Sequence, residues 1–300
     1  MDRVTTADGI DIAVHHLPAR EMRPEPDARP ALVMVHATGL CGPVMEPLAR
    51  ALSASYRCLA PDQRGHGASG RPAGGDFDWS GFAADVAAVV DGLGLVRPFG
   101  IGHSCGGTAL LLAEQARPGT FRALYCFEPV VFPVEPPAGV RPDNPLSLAT
   151  LKRRRAFSSR EEAYANFASK PPLSALDPLA LRGYVDHGFH DLDGGGIELR
   201  CRREDEAAIY ANGSAHHAFS RLDEVSCPVT LVRGTASEAM GGPAMGAVAA
   251  PLPHARTEEL TGLTHFGLLE DTDRVAASVL AAFGAEGGPG GIPAPVTRQA

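Results

Sequence analysis

The chain predicts an α/β fold, with helices on both faces of a mostly parallel central sheet. Two observations carry that expectation. Short apolar runs of strand length (Ala31–His36, Tyr56–Ala60, Arg97–Ile101 and Phe121–Phe127) recur along the first half and are separated by helix-spaced segments. The run at Arg97–Ile101 then passes directly into Gly102-His103-Ser104-Cys105-Gly106, with an apolar helical stretch from Gly106 to Ala116 behind it.

The elements follow in order. Arg3–Thr6 and Ile10–His16 alternate around Ala7-Asp8-Gly9, which marks a hairpin. Residues 18–30 are a polar, proline-rich loop. Val44–Ala54 has helical spacing, and Asp78–Leu93 reads as an amphipathic helix with Asp78 as its N-cap. From about Phe132 to Glu224 the pattern breaks. The chain there is proline-rich, then charged and helical, with helices expected over Leu148–Ala168, Pro178–His187 and Arg202–Ala211. Strands return at Pro228–Arg233 and Thr257–Leu260, with helices near Pro243–Ala250 and over Thr272–Phe283. The expected organisation is therefore a core of residues 1–132 and 225–284, a helical cap inserted as 133–224, and a disordered Gly/Pro-rich tail of 285–300.

Composition narrows the function classes. Three hundred residues, 44% apolar, suffice for one sizeable core. A formal charge of −8 argues against nucleic acid or an anionic membrane as partner. The start of the chain has no apolar leader, and no run approaches the roughly 18 apolar residues of a membrane span. The six cysteines are scattered singly, as reduced core cysteines are, so a cytoplasmic protein acting on a small molecule is expected. Abundant Ala, Gly, Pro and Arg beside few Lys point to a GC-rich bacterial source.

The chemistry centres on Ser104. Glycines at 102 and 106 permit a strand-to-helix turn tight enough to lift the serine hydroxyl out of the chain path. The following helix N-terminus aims free N–H groups at the same point. A serine hydroxyl needs a base, and His265, on a loop between the last strand and last helix, fits best among eleven histidines. An acyl oxyanion also needs two N–H donors, one of them the amide of Cys105.

The motifs His36-Ala37-Thr38-Gly39, Asp62-Gln63-Arg64-Gly65-His66-Gly67-Ala68-Ser69, Gly102-His103-Ser104-Cys105-Gly106 and Thr264-His265-Phe266 together resemble the α/β-hydrolase superfamily. That resemblance implies the α/β-hydrolase fold and Thr38 as the second oxyanion donor, with His36-Ala37 standing where His-Gly is usual. It also implies an acid three residues beyond the glycine that ends the Val229–Arg233 strand, but that place holds Ser237. Glu238 is one residue late. The alternative location in the superfamily, known from some haloalkane dehalogenases, is the end of the preceding core strand, where Glu128 closes an apolar run. A carboxylate there is costly without a partner such as His265, so Glu128 is favoured and Glu238 kept as the alternative.

A serine at 104 argues against the carboxylate-nucleophile chemistry of dehalogenases and epoxide hydrolases. The expected activity is cleavage of an ester, lactone or thioester through an acyl-enzyme on Ser104, with no cofactor and no metal. Alternatives are C–C bond hydrolysis or acyl transfer with the same triad, or a non-catalytic binder. Asp62, His66 and Asp85 are expected to brace loops. The pair His187 and His190 lacks a carboxylate pattern that would make it a metal site, and His216-His217 reads as exposed. Lys152-Arg153-Arg154-Arg155 reads as the solvated face of a cap helix, or as a feature favouring an anionic substrate group.

Overall fold

The computed structural model describes residues 1–18, 29–135 and 137–284. The expected tail, 285–300, and most of the proline-rich loop lie outside them. The first strands are β1 (Asp2–Thr5), β2 (Asp11–His16), β3 (Ala31–Val35), β4 (Arg57–Pro61), β5 (Phe99–His103) and β6 (Leu124–Phe127). Among them lie helices α1 (Glu46–Leu52), α2 (Trp79–Gly92) and α3 (Cys105–Ala116). The segment after β6 carries α4 (Pro145–Thr150), β7 (Ala156–Phe157), α5 (Arg160–Ala168), α6 (Pro178–His187), β8 (Phe189–Asp191), β9 (Ile197–Leu199) and α7 (Arg203–Asn212). The chain returns through β10 (Val229–Gly234), α8 (Gly242–Ala249), β11 (Ala255–Leu260), α9 (Gly267–Glu270) and α10 (Thr272–Gly284).

Eight strands form one sheet in the order β1-β2-β4-β3-β5-β6-β10-β11. The β1–β2 hairpin pairs antiparallel and joins β4 antiparallel, while every pairing from β4 to β11 is parallel. Period-two alternation sorts the side chains onto two cores. Leu32, Met34, Tyr125, Phe127 and Val232 face α1 and α10, whereas Val33, Val35, Cys126 and Leu231 face α2, α3 and α8. Strands covered on both faces read as continuous apolar runs, which is why β3, β5 and β6 were legible. The α2 cap forms as expected, Ser80 N donating to Asp78 Oδ1 at 2.8 Å. At the other end of the chain α10 buries Val275, Val279 and Phe283, each stabilising by about 1.5–3 kcal/mol.

The inserted segment departs from an all-helical expectation. The Leu148–Ala168 stretch divides into α4, a turn, β7 and α5, and β7, β9 and β8 form a small antiparallel sheet. These strands are two or three residues long, too short for period two to register in a sequence. They form because Phe157, Phe189, Ile197 and Leu199 join one apolar cluster with Tyr184 and the sheet's upper core. The segment is tied to the core by Arg71–Asp205 at 2.6 Å, by Trp79 Nε1 donating to the Ile209 carbonyl, and by Asp177 N donating to that of Leu269. Among the described residues no helix is long and apolar enough to cross a membrane.

Candidate active site

Parallel strands place their C-terminal ends on one edge, and the loops leaving β3, β5, β6, β10 and β11 bring the expected residues together there. Ser104 sits between β5 and α3 with φ 54° and ψ −118°, a region a non-glycine residue enters only when its surroundings hold it. They do. Ser104 N donates to the Phe127 carbonyl at 2.9 Å. A Cβ on Gly102 would lie 2.5 Å from Gly107 Cα, and one on Gly106 would lie 2.2 Å from the Val35 carbonyl oxygen. Both glycines are therefore required by close backbone approach, and they wedge α3 against β3 and β5.

Around the serine, the backbone donors stand free. Among the described residues neither the Thr38 nor the Cys105 amide donates a hydrogen bond within the protein. Two histidines hold the loop that carries Thr38. His66 Nε2 accepts from Gly39 N at 2.9 Å while its Nδ1 donates to the Arg64 carbonyl. His36 Nδ1 donates to the Ala37 carbonyl, and its Nε2 accepts from Gln63 N at 3.0 Å. Each ring needs one bare nitrogen to do this, so both must be neutral. Burial lowers the pKa of both, that of His66 to about 3. Gln63 Nε2 closes the network on the His36 carbonyl at 2.7 Å, and its Oε1 accepts from Cys105 Sγ. Burial pushes the Cys105 thiol up to about 12, so it remains a protonated packing group beside the serine.

On the other side of Ser104, Glu128 directly follows β6 with φ 45°, and only 2% of it is exposed. Its Oε2 accepts from His265 Nδ1 at 2.6 Å and from Ser237 Oγ at 2.7 Å, while Oε1 accepts from Gly234 N at 2.9 Å. Glu238 is exposed and makes no hydrogen bond to His265. The structure thus brings Glu128 to His265 and leaves Glu238 outside. Ser237, at the position where the superfamily pattern expects an acid, instead donates to Glu128 Oε2. With Nδ1 committed to Glu128, His265 Nε2 is left uncommitted. Among the described residues neither it nor Ser104 Oγ has a hydrogen-bond partner, and Ser104 is 8% exposed.

His103 is a residue that sequence reasoning missed. It is buried, its Nε2 donates to the His265 carbonyl at 2.8 Å, and burial lowers it to about 3. Its Nδ1 has no partner. Glu270 holds the same loop by accepting from Thr264 N and Thr264 Oγ1. The only sequence signal for His103 is its place inside the Gly102–Gly106 turn.

The other singled-out residues resolve as follows. Asp62 braces its loop, accepting from Gly42 N, Ala68 N and His15 Nε2. Burial alone would raise its pKa, yet the His15 bond and charge bring it below the ordinary carboxylate value. Asp85 takes a two-point bond from Arg64 at 2.8 and 2.7 Å. His187 packs edge-on against His15, whereas His190 lies 3.8 Å from Glu198. His216, expected to be exposed, stacks on Trp79 at 4.8 Å instead. The basic run 152–155 is not a solvated helix face. It follows α4 as a turn, Arg154 packs over the Phe157 ring and Arg155 pairs with Glu198, while Arg153 turns inward to Glu206 and Tyr184.

Known proteins with similar chains agree with this geometry at the level of family and fold. The family model described as the alpha/beta hydrolase family matches residues 32–278. The chain is 25% identical over 243 residues to the 2-(acetamidomethylene)succinate hydrolase of Mesorhizobium japonicum, covering 81% of this chain and 84% of that one. It is 29% identical over 247 residues to a non-heme chloroperoxidase of Streptomyces lividans, covering 77% and 83%. A crystal structure of E-2-(acetamidomethylene)succinate hydrolase superposes with a TM-score of 0.78 at 20% identity, covering 95% of this chain and 98% of the other. The chain belongs to the alpha/beta hydrolase family.

Proposed function

We propose that the protein is a serine hydrolase that cleaves a carboxylic ester, lactone or thioester of a small molecule. The observation that carries this reading is the bond from His265 Nδ1 to Glu128 Oε2, which leaves the other ring nitrogen, Nε2, free to serve as a base. In this reading His265 Nε2 takes the Ser104 proton as Oγ attacks the carbonyl carbon. The Cys105 and Thr38 amides receive the oxyanion, and Glu128 stabilises the imidazolium. Collapse of the tetrahedral intermediate expels the alcohol or thiol, which takes its proton from His265. Water, deprotonated by the same nitrogen, then attacks the acyl-enzyme and releases the acid. Ester and water become acid and alcohol, and the enzyme is restored without a cofactor.

The inserted segment 133–224 serves as the cap in this reading and encloses the acyl group, which suits a compact substrate better than a polymer. The six cysteines are free and buried, which suits a reducing, cytoplasmic setting.

A fluorophosphonate probe tests the assignment. It should add to the peptide containing Ser104 in the intact protein, and Ser104→Ala should abolish the label. A folded protein that takes no label at Ser104 overturns the hydrolase reading.

A further inference from the structure

Directly against the oxyanion loop the cap places charge that the reaction steps above do not use. Glu206 and Tyr210 stand one turn apart on α7, so both project from the same face of that helix. Glu206 is buried, and its Oε2 accepts from Arg153 Nη1. Arg153 Nη2 donates to the Tyr184 hydroxyl at 2.9 Å. The pair lies on the backbone next to Thr38: a Cβ on Gly39 would stand 2.5 Å from Glu206 Oε1 and 3.4 Å from Arg153 Nη1. Gly39 also has φ +81°, so the loop excludes a side chain there on two counts.

This cluster is not needed to dock the cap. The neighbouring Asp205 already does so through its two-point bond to Arg71, and apolar packing would serve as well, because a buried ion pair returns little net stability. The cluster is also unfinished. Among the described residues Glu206 Oε1 and the Tyr210 hydroxyl have no hydrogen-bond partner, and Arg153 keeps N–H groups beyond the two it uses. Tyr210 is mostly buried. Its phenol is held above the usual range by that burial, with Glu206 adding to the effect and Arg153 opposing it.

Resting on the hydrolase reading, we propose that Glu206, Arg153 and Tyr210 form a recognition subsite for a neutral group on the acyl chain that both donates and accepts hydrogen bonds, such as a hydroxyl. Charge selects the class. The Arg153–Glu206 pair sums to zero, so a substrate carboxylate would meet Glu206 and an ammonium would meet Arg153. A hydroxyl donates to Glu206 Oε1 and can accept from both Arg153 and Tyr210 through its two lone pairs, completing all three. Topology selects the acyl side. In the sheet order the loop after β3 lies on one side of Ser104 and His265, after β11, lies on the other. His265 hands its proton to the leaving group, so the acyl chain points toward Gly39. One Cα–Cα step of about 3.8 Å separates Gly39 from Thr38, which sets the polar group a few bonds from the carbonyl carbon.

The test compares kcat/KM for the 4-nitrophenyl esters of butanoate, 3-hydroxybutanoate and succinate (as the half-ester). The hydroxylated ester should exceed the plain one by at least about tenfold, and the anionic half-ester should fall below both. Tyr210→Phe and Glu206→Gln should each bring the hydroxybutanoyl-to-butanoyl ratio to near one, whatever happens to absolute rates. A merely structural role would lower both rates together and leave the ratio intact. The inference is overturned by an unchanged ratio in both variants, by a wild-type protein that prefers the half-ester or the plain ester, or by failure to cleave the hydroxylated ester while Ser104 still takes the fluorophosphonate label. Absence of the label instead overturns the hydrolase reading beneath it.

Discussion

The two sides of Ser104 are built by different means. On the β3 side, main-chain amides present themselves because neutral histidines and tightly approaching glycines hold the loops that carry them. On the β6–β10 side, two side chains and one main-chain amide converge on a single carboxylate, three donors meeting the two oxygens of Glu128. The first arrangement tolerates little change in residue type, because close backbone approach dictates glycine. The second constrains where a carboxylate must arrive, and leaves open which strand delivers it. The carboxylate that meets His265 therefore comes from the end of β6, beside an intact Gly102–Gly106 turn.

The sharpest way to break that contrast is Glu128→Gln. The amide keeps the shape but cannot hold His265 Nδ1–H as a carboxylate does, and turnover of an activated ester should fall by about 10³–10⁴. Glu238→Gln, on an exposed residue, should stay within about twofold. Steady-state kinetics of the two variants decide it, and the reverse pattern would return the acid to the β10 loop.

The same contrast explains what the sequence made legible. Gly102 and Gly106 announce themselves because a Cβ at either would fall 2.2–2.5 Å from neighbouring backbone atoms, and Ser104 stands out midway between them. Glu128 is legible because a charge ending the buried run Leu124–Phe127 demands a partner. Ser237 could be noticed only as a missing acid, since a hydroxyl bond to Glu128 leaves no trace in local pattern. In sequence Arg153 looks like one of four solvated charges, because its partner Glu206 lies 53 positions on and only the fold brings them together. His103 was hidden similarly, its acceptor being a backbone carbonyl at residue 265.

The histidine-held loops should also respond to acid. Burial keeps His66 and His103 neutral until about pH 3, whereas the unfolded chain protonates them near 6.5. In between, protons bind the unfolded state preferentially, so this stability is complete above about pH 6.5 and is lost as pH falls toward 3. Each ring should cost about 1.4 kcal/mol per pH unit within that window. Denaturant unfolding at pH 7, 6 and 5 should show the decline steepening. A midpoint unchanged from pH 7 to pH 5 would mean that these rings are not held neutral in the folded protein.

The smallest effect is expected at Ser237, and it probes the acid side most finely. Ser237→Ala removes one of two donors on Glu128 Oε2 while Gly234 N and His265 Nδ1 remain. A hydrogen bond to a charged group of this kind is worth about 1.5 kcal/mol, so kcat should drop about tenfold with KM little changed. Ser237→Asp in the otherwise unaltered protein should do worse, because it sets a second carboxylate against the first. In a Glu128→Gln background the same aspartate has an amide for a neighbour and stands where the superfamily ordinarily keeps its acid. That double variant should recover about one to two orders of magnitude over Glu128→Gln alone. Recovery would show that the two strand ends are interchangeable sources of one charge. If the double variant were no faster than Glu128→Gln, the β10 loop would be only a support for Glu128, and the relocation could not be reversed at this position.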